Sequence, residues 1–116
     1  MKKTSHKNQR INGEVQRELS RIITMEIKDP RINPMTSVTD VIVTPDLKYC
    51  KAFISVLGDA ESGRETIEGL KSATGYIRRE LARSINLRNT PEITFVLDNS
   101  IEYGIEMSKK IDELLN

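Results

Sequence analysis

"LKSATGYIRREL", residues 70–81, carries an amphipathic helical pattern with an interruption in its middle. Leu70, Ile77, Leu81 and Ile85 keep the spacing of a single helix face, yet Ala73-Thr74-Gly75 falls between them. Glycine inside a helix costs about 1 kcal/mol relative to alanine. The stretch therefore reads as two helices, one over roughly 61–72 and one ending near Ile85, joined at a kink. Gly75 is expected to relieve the steric restriction at the bend, and Ala73 to let the two helices pack closely. Three arginines, Arg78, Arg79 and Arg83, lie within six positions of the second half.

Upstream, "GDAESG" (58–63) is a loop leading into the first of these helices. Before it come two stretches of strand character, "TSVTDVIVTP" (36–45) and "YCKAFISVL" (49–57). The first is rich in β-branched residues and bounded by prolines; the second alternates Cys50, Ala52, Ile54 and Val56 against Tyr49, Lys51, Phe53 and Ser55. The short "TPDLK" (44–48) between them predicts an antiparallel hairpin. Further upstream, Ile11, Val15, Leu19, Ile22 and Ile23 mark one helical stripe, expected to end near Lys28 because Pro30 disfavours helical geometry at Asp29. "DPRINP" (29–34) is a turn-rich connection. Downstream of the kinked pair, "NLRNTP" connects to a third strand, "EITFVL" (92–97). Asp98, Asn99 and Ser100 are N-cap candidates for a last helix carrying Ile101, Ile105, Ile111 and Leu115.

The fold class is therefore α+β, in the order helix, strand, strand, helix–kink–helix, strand, helix. The crossover between the second and third strands is long and helical, so the sheet is expected to be mixed, with helices packed on one face of three strands. The chain of 116 residues has room for one domain with one modest core. That domain is placed at residues 10–116, C-terminal helix included, behind a flexible basic tail over 1–9. No apolar run approaches the ~20 residues that span a bilayer. The basic start "MKKTSHKNQR" is not followed by the apolar stretch of a secretory signal. Cys50 is alone, which excludes a disulfide framework and a thiolate metal cluster and fits a small buried strand residue. The expectation is a cytoplasmic, cofactor-free protein with no metal and no membrane partner.

A formal net charge of only +1 hides a segregated distribution. Residues 1–31 carry a net +4 and residues 71–88 another +4, whereas residues 32–70 and 98–116 each carry −3. If the two basic segments meet in space, a nearly neutral protein presents one strongly positive face to a polyanion. At about 100° per residue, Arg10, Arg17, Arg21 and Lys28 fall within roughly 40° of one another on the first helix, away from its apolar stripe. After the kink, Arg79 and Arg83 are one turn apart and oppose Ile77, Leu81 and Ile85, while Arg78 flanks that face. Guanidinium forks suit phosphate oxygens. With Lys2, Lys3 and Lys7 of the tail, Arg31 of the turn and Arg88 of the connector, these residues form the candidate nucleic-acid contact set. Some of them also have carboxylate partners at helical spacing, as in Glu14–Arg17 and Glu18–Arg21.

Catalysis has little support. His6 is the sole histidine and falls in the tail, no carboxylate pair stands out by spacing, and there is no Walker loop or dinucleotide fingerprint. Aromatic base-stacking residues are few: Tyr49, Phe53, Tyr76, Phe95 and Tyr103 are the complete set, and Phe53 and Phe95 fit a core role.

The helix–kink–helix between strands two and three has the order of the type II KH fold, with Ala73-Thr74-Gly75 where KH domains carry a GxxG loop. Together with "INGEVQRELSRII" (11–23), "EIKDPRI" (26–32), "SVTDVIVTPDLKYCKAFISVLG" (37–58), "SATGYIRREL" (72–81) and "LRNTPEITFVLDNSIEYGIEMSKKIDELL" (87–115), it resembles the ribosome-binding factor A family. The resemblance covers residues 5–115. It implies a KH-like domain whose interhelical loop is replaced by an Ala-x-Gly kink, and no catalytic activity. It further implies binding to 16S rRNA of the immature 30S subunit and assistance to late maturation, including rRNA processing. A protein that is a monomer when free fits that role. The missing GxxG points to recognition of folded rRNA by shape and phosphate rather than base-specific clamping. Two other readings stay open at this point. One is a protein-interaction adaptor working through the acidic C-terminal helix or a sheet edge; the other is a generic single-stranded RNA-binding KH module.

Overall fold

The computed structural model describes residues 6–98, so the calls on Lys2, Lys3 and the C-terminal helix lie outside the described residues. Six elements follow in chain order: α1 (His6–Met25), β1 (Thr36–Val43), β2 (Tyr49–Val56), α2 (Ala60–Ser72), α3 (Thr74–Ser84) and β3 (Glu92–Leu97). The strands form one sheet in the order β1-β2-β3, β1 antiparallel and β3 parallel to the central β2. The expected α+β class and mixed three-stranded sheet are what the chain forms.

The helices bury one face of that sheet. Val15, Leu19 and Ile22 of α1, Leu70 of α2, and Ile77 and Leu81 of α3 are fully buried against Val41, Ala52, Ile54 and Phe95. Burial of a leucine- or isoleucine-sized side chain contributes about 1.5–3 kcal/mol, which makes this stripe the main support of the fold. On its β1 side, α1 also serves the strand's outer backbone. Gln16 Nε2 donates to the Val38 carbonyl at 3.0 Å, and Asn12 Oδ1 accepts from the Val43 amide at 2.9 Å. These contacts cover an edge that would otherwise offer unpaired groups to another strand.

Three local features differ from the sequence expectations. Helix α1 spans His6–Met25, beginning before the apolar stripe and ending before Lys28. Its first turns carry polar residues that no periodicity marks, and an exposed turn propagates cheaply from a helix already nucleated by packing. At the other end the amides of Glu26 and Ile27 both bond to the Ile22 carbonyl, at 2.9 and 3.1 Å, so the last turn widens and the helix unwinds ahead of Pro30. Lys28 accordingly sits in the exposed connection rather than on the helix.

In β1 the pairing register shifts between Val38 and Asp40, which leaves Thr39 in a bulge. The bulge lets Val38 and Val41 both face the core despite their three-residue spacing.

The third difference concerns the kink. Only Ala73 departs from helix, at φ −91° and ψ 3°, the sparsely populated bridge between regions. Its amide is shared between the Gly69 and Leu70 carbonyls at 3.1 Å each, and the Thr74 hydroxyl donates to Leu70 at 3.1 Å. Gly75 lies inside the first turn of α3, and a Cβ added there would meet nothing within 4 Å. The bend is thus made by Ala73 and Thr74, and Gly75 is not its hinge.

Candidate nucleic-acid interface

Helices α1 and α3 run antiparallel, and their seam gathers much of the positive charge. Arg21 on α1 reaches Ser84 near the end of α3 at 3.3 Å, while Glu26 after α1 accepts from the Tyr76 hydroxyl near the start of α3 at 2.6 Å. Because Val15, Leu19 and Ile22 point inward, Arg17 and Arg21 are turned outward on the same helix. Likewise Ile77 and Leu81 leave Arg79 and Arg83 exposed on α3.

Along the stretch from Tyr76 to Ser84 the charges are tied together. Arg21 binds Glu18 at 2.8 Å and Glu26 at 2.6 Å, and Arg83 binds Glu80 at 3.2 Å. The Tyr76 hydroxyl, and then Arg21, hold the Glu26 carboxyl below its ordinary range against the opposing effect of desolvation. The same carboxylate, accepting the hydrogen bond from the phenol, and then desolvation raise the Tyr76 pKa.

Toward the other end the seam opens into two shallow grooves. Arg17, Glu18, Ser84 and Ile85 line one; Arg10, Ile11, Leu87 and Arg88 line the next; Glu14 and Asn86 are shared by both, which makes them continuous. Arg10 keeps a loose pairing with Glu14 at 3.8 Å and is 82% exposed. Among the described residues no carboxylate lies within ion-pair distance of Arg17, Arg79 or Arg88. Within the candidate set these three guanidinium groups are therefore the most available to an external anion, although the exposed Arg64 of α2 also has no ion pair among the described residues.

Two of the candidate arginines stand elsewhere. Arg78 is half-buried and points at the chain entering β3, donating from Nε to the Pro91 carbonyl and from Nη2 to the Thr90 carbonyl, both at 2.9 Å. It staples α3 to β3 and leaves the contact set. Arg31 is bound bidentately by Asp29, at 2.7 and 3.1 Å, beside Gly69 of α2 and away from the seam. Asp29 is held below its usual carboxylate range by those bonds. Lys7 falls in the first turns of α1. Ser84 and Asn86 were not legible as site residues. The polar run "RSINLRN" (83–89) becomes a signal only once α1 and α3 are known to be antiparallel, which sets the end of α3 against the middle of α1.

The seam offers cationic forks and amide or hydroxyl donors, a set suited to phosphate oxygens. Elsewhere, the Cys50 thiol is pushed up to about 12 by burial, so it stays protonated and unreactive. Among the described residues no group of three His, Cys, Asp or Glu side chains is placed to hold a metal ion, and no helix is long and apolar enough to cross a membrane.

Comparison with known proteins identifies the family and the fold. The family model described as ribosome-binding factor A matches residues 7–111. The chain is 73% identical to the ribosome-binding factor A of Lachnospira eligens over 98% of its own length and 88% of that protein's. It is 71% identical to that of Agathobacter rectalis, over 98% and 94%. Among solved structures, that of a putative ribosome binding factor A from Thermotoga maritima superposes with a TM-score of 0.73 at 28% identity, covering 88% of this chain and 96% of that one. A model of the Thermus thermophilus factor, fitted into a cryo-electron-microscopy map of its complex with the 30S subunit, shares the fold at a TM-score of 0.63 and 19% identity, covering 76% of this chain and 91% of that one. The chain belongs to the ribosome-binding factor A family.

Proposed function

We propose that this protein is a non-catalytic, cytoplasmic assembly factor, monomeric when free. In this reading it binds the 16S rRNA of the immature 30S subunit through the α1–α3 seam and assists late maturation, including rRNA processing. The observation that carries it is that Arg17 and Arg88 line the continuous grooves of the seam, exposed and without carboxylate partners among the described residues, with Arg10 in the same grooves and Arg21, Arg79 and Arg83 exposed on the same two helices. Cations left without partners on a protein of net charge +1 fit a phosphate backbone better than general solvation. Lys2, Lys3, Lys7 and Lys28 extend the same contact set in sequence. Family membership supports the choice of ribosomal RNA over other polyanions.

Cosedimentation of the purified protein with immature and mature small subunits over a salt series tests this. Preferential, salt-sensitive binding to the immature particle is the expected outcome. Salt-insensitive binding would favour the adaptor reading, and equally tight binding to short unstructured oligonucleotides would favour a generic single-strand module.

A further inference from the structure

The two grooves of the seam differ in their floors. The one holding Arg17 is lined by polar side chains apart from Ile85, whereas the one between Arg10 and Arg88 rests on Ile11, Pro45, Leu47 and Leu87. A phosphate backbone gains nothing from an apolar floor. The same groove also holds Glu14, which when ionised only accepts hydrogen bonds and repels phosphate. Both features call for a further chemical group beside the phosphates.

Given phosphate binding at the α1–α3 seam, on which this rests, we propose that the Arg10–Arg88 groove takes a single unpaired nucleotide of the bound RNA. The face of an unstacked base is the apolar part of an RNA strand. It lies on Ile11, Pro45 and Leu87 while the flanking phosphates meet Arg10 and Arg88. The Watson–Crick edge of every base carries an N–H or amino donor, which the Glu14 carboxylate accepts. In a duplex that donor is already used, so the carboxylate selects for an unpaired base. The groove volume of about 390 Å³ lies at the small end of the ~300–1,000 Å³ range of ligand pockets and suits one nucleoside.

The groove is fixed before a ligand arrives. Leu47 holds φ 61°, a left-handed conformation that glycine and asparagine favour, and its side chain is nonetheless buried in the floor. Its amide donates to the Thr44 carbonyl and its carbonyl accepts from Asn89 Nδ2, both at 2.9 Å, which ties the hairpin loop to the α3–β3 connector. Asn12 ties α1 to the same hairpin through the Val43 amide. Asp46 is directed into its own loop, accepting from the Thr44 hydroxyl at 2.6 Å and the Lys48 amide at 3.0 Å. With its three walls joined by hydrogen bonds, the groove loses little freedom on binding. It stands at the opposite end of α3 from Ala73, about 16 Å along the helix, and is not the counterpart of a GxxG clamp.

Two RNA hairpins with the same number of phosphates, one fully paired and one carrying a single unpaired nucleotide, test the proposal on the full chain. Both should bind with salt-dependent affinity, and the second should bind about tenfold more tightly. Only the second should shift the methyl signals of Ile11, Leu47 and Leu87 upfield, by the ring current of the stacked base. Glu14→Ala should tighten binding of the paired hairpin by removing a negative charge, yet shrink the tenfold ratio by removing the acceptor. Equal, salt-dependent affinity for the two hairpins with unmoved methyl signals overturns the nucleotide pocket, leaves phosphate binding intact and assigns the floor to an apolar side chain of a protein partner. A preference for the unpaired hairpin without those shifts places the base elsewhere on the chain and overturns the proposal equally. Absence of salt-sensitive binding to either hairpin overturns the phosphate reading itself and the pocket with it.

Discussion

Helices α2 and α3 meet at one residue, Ala73, and have similar lengths of 13 and 11 residues, but they engage their surroundings in opposite ways. Beside the core residue Leu70, the buried side of α2 carries the small residues Gly63, Thr66 and Gly69. A Cβ on Gly63 would stand 2.9 Å from Leu97, and one on Gly69 would stand 2.8 Å from Ile32 and 3.4 Å from Arg31. Between them the buried Thr66 accepts from the Asn33 amide at 3.1 Å and donates to the Arg31 carbonyl at 3.4 Å. Helix α2 thus seats the 29–34 connection directly against its backbone. Helix α3 holds the core with Ile77 and Leu81 and presents long cationic side chains elsewhere. Counting Lys and Arg against Asp and Glu within each helix, α2 carries a net −1 and α3 a net +2. One helix serves close approach, the other reach.

The largest effect expected from this contrast is at Gly69. Gly69→Val drives a branched side chain into Ile32 and should lower stability by about 2–3 kcal/mol in denaturant titration. Adding Ile32→Ala should recover part of the loss if the clash is the cause. A variant as stable as the parent would remove the close-approach role of α2.

A smaller loss is expected at Arg78, the one α3 arginine directed at protein backbone. Arg78→Ala leaves the Thr90 and Pro91 carbonyls without their donor and should cost about 1–2 kcal/mol. Its effect on rRNA binding, measured below the melting transition, should be negligible. A normal melting midpoint with weakened binding would return Arg78 to the contact set.

Gly75 supplies the opposite sign. With open space around its Cβ position and helical neighbours, Gly75→Ala should leave stability unchanged or raise it by up to ~1 kcal/mol. Clear destabilisation by this change would restore Gly75 as the hinge and break the distinction from Gly69.

These glycines also show how far the sequence could be read. The apolar periodicities of α1 and α3 and the alternation of β2 identify the core, because burial of one face leaves a repeating mark. The element order and the mixed sheet followed from them. Glycines in "ESGRETIEGLK" (61–71) leave no such mark, since what they permit is the approach of a distant segment. Gly75 sits at a visible interruption, yet the bend needs only one residue in the bridge region and alanine reaches it. The bulge at Thr39 was hidden for a similar reason, since one inserted residue shifts the alternation without changing composition.

For the interface, the outward ridges of Arg17 and Arg21 on α1 and of Arg79 and Arg83 on α3 were legible from helical angles. The partition among them was not. Arg78 and Arg79 are adjacent, and only the path of the chain into β3 decides that one staples backbone while the other remains available.

The most direct test of the interface compares salt dependence for two pairs of cations. Each phosphate neutralised contributes roughly 0.7–0.9 to the logarithmic slope of binding against salt. Arg17→Ala with Arg88→Ala, in the grooves along the α1–α3 seam, should weaken binding to immature small subunits and lower that slope by about one to two units. Arg64→Ala with Lys71→Ala, exposed on α2, should leave the slope unchanged. All four side chains are exposed, so the fold should survive in both variants. An unchanged slope for the seam pair together with a lowered slope for the α2 pair would contradict the account and move the interface to the other helix.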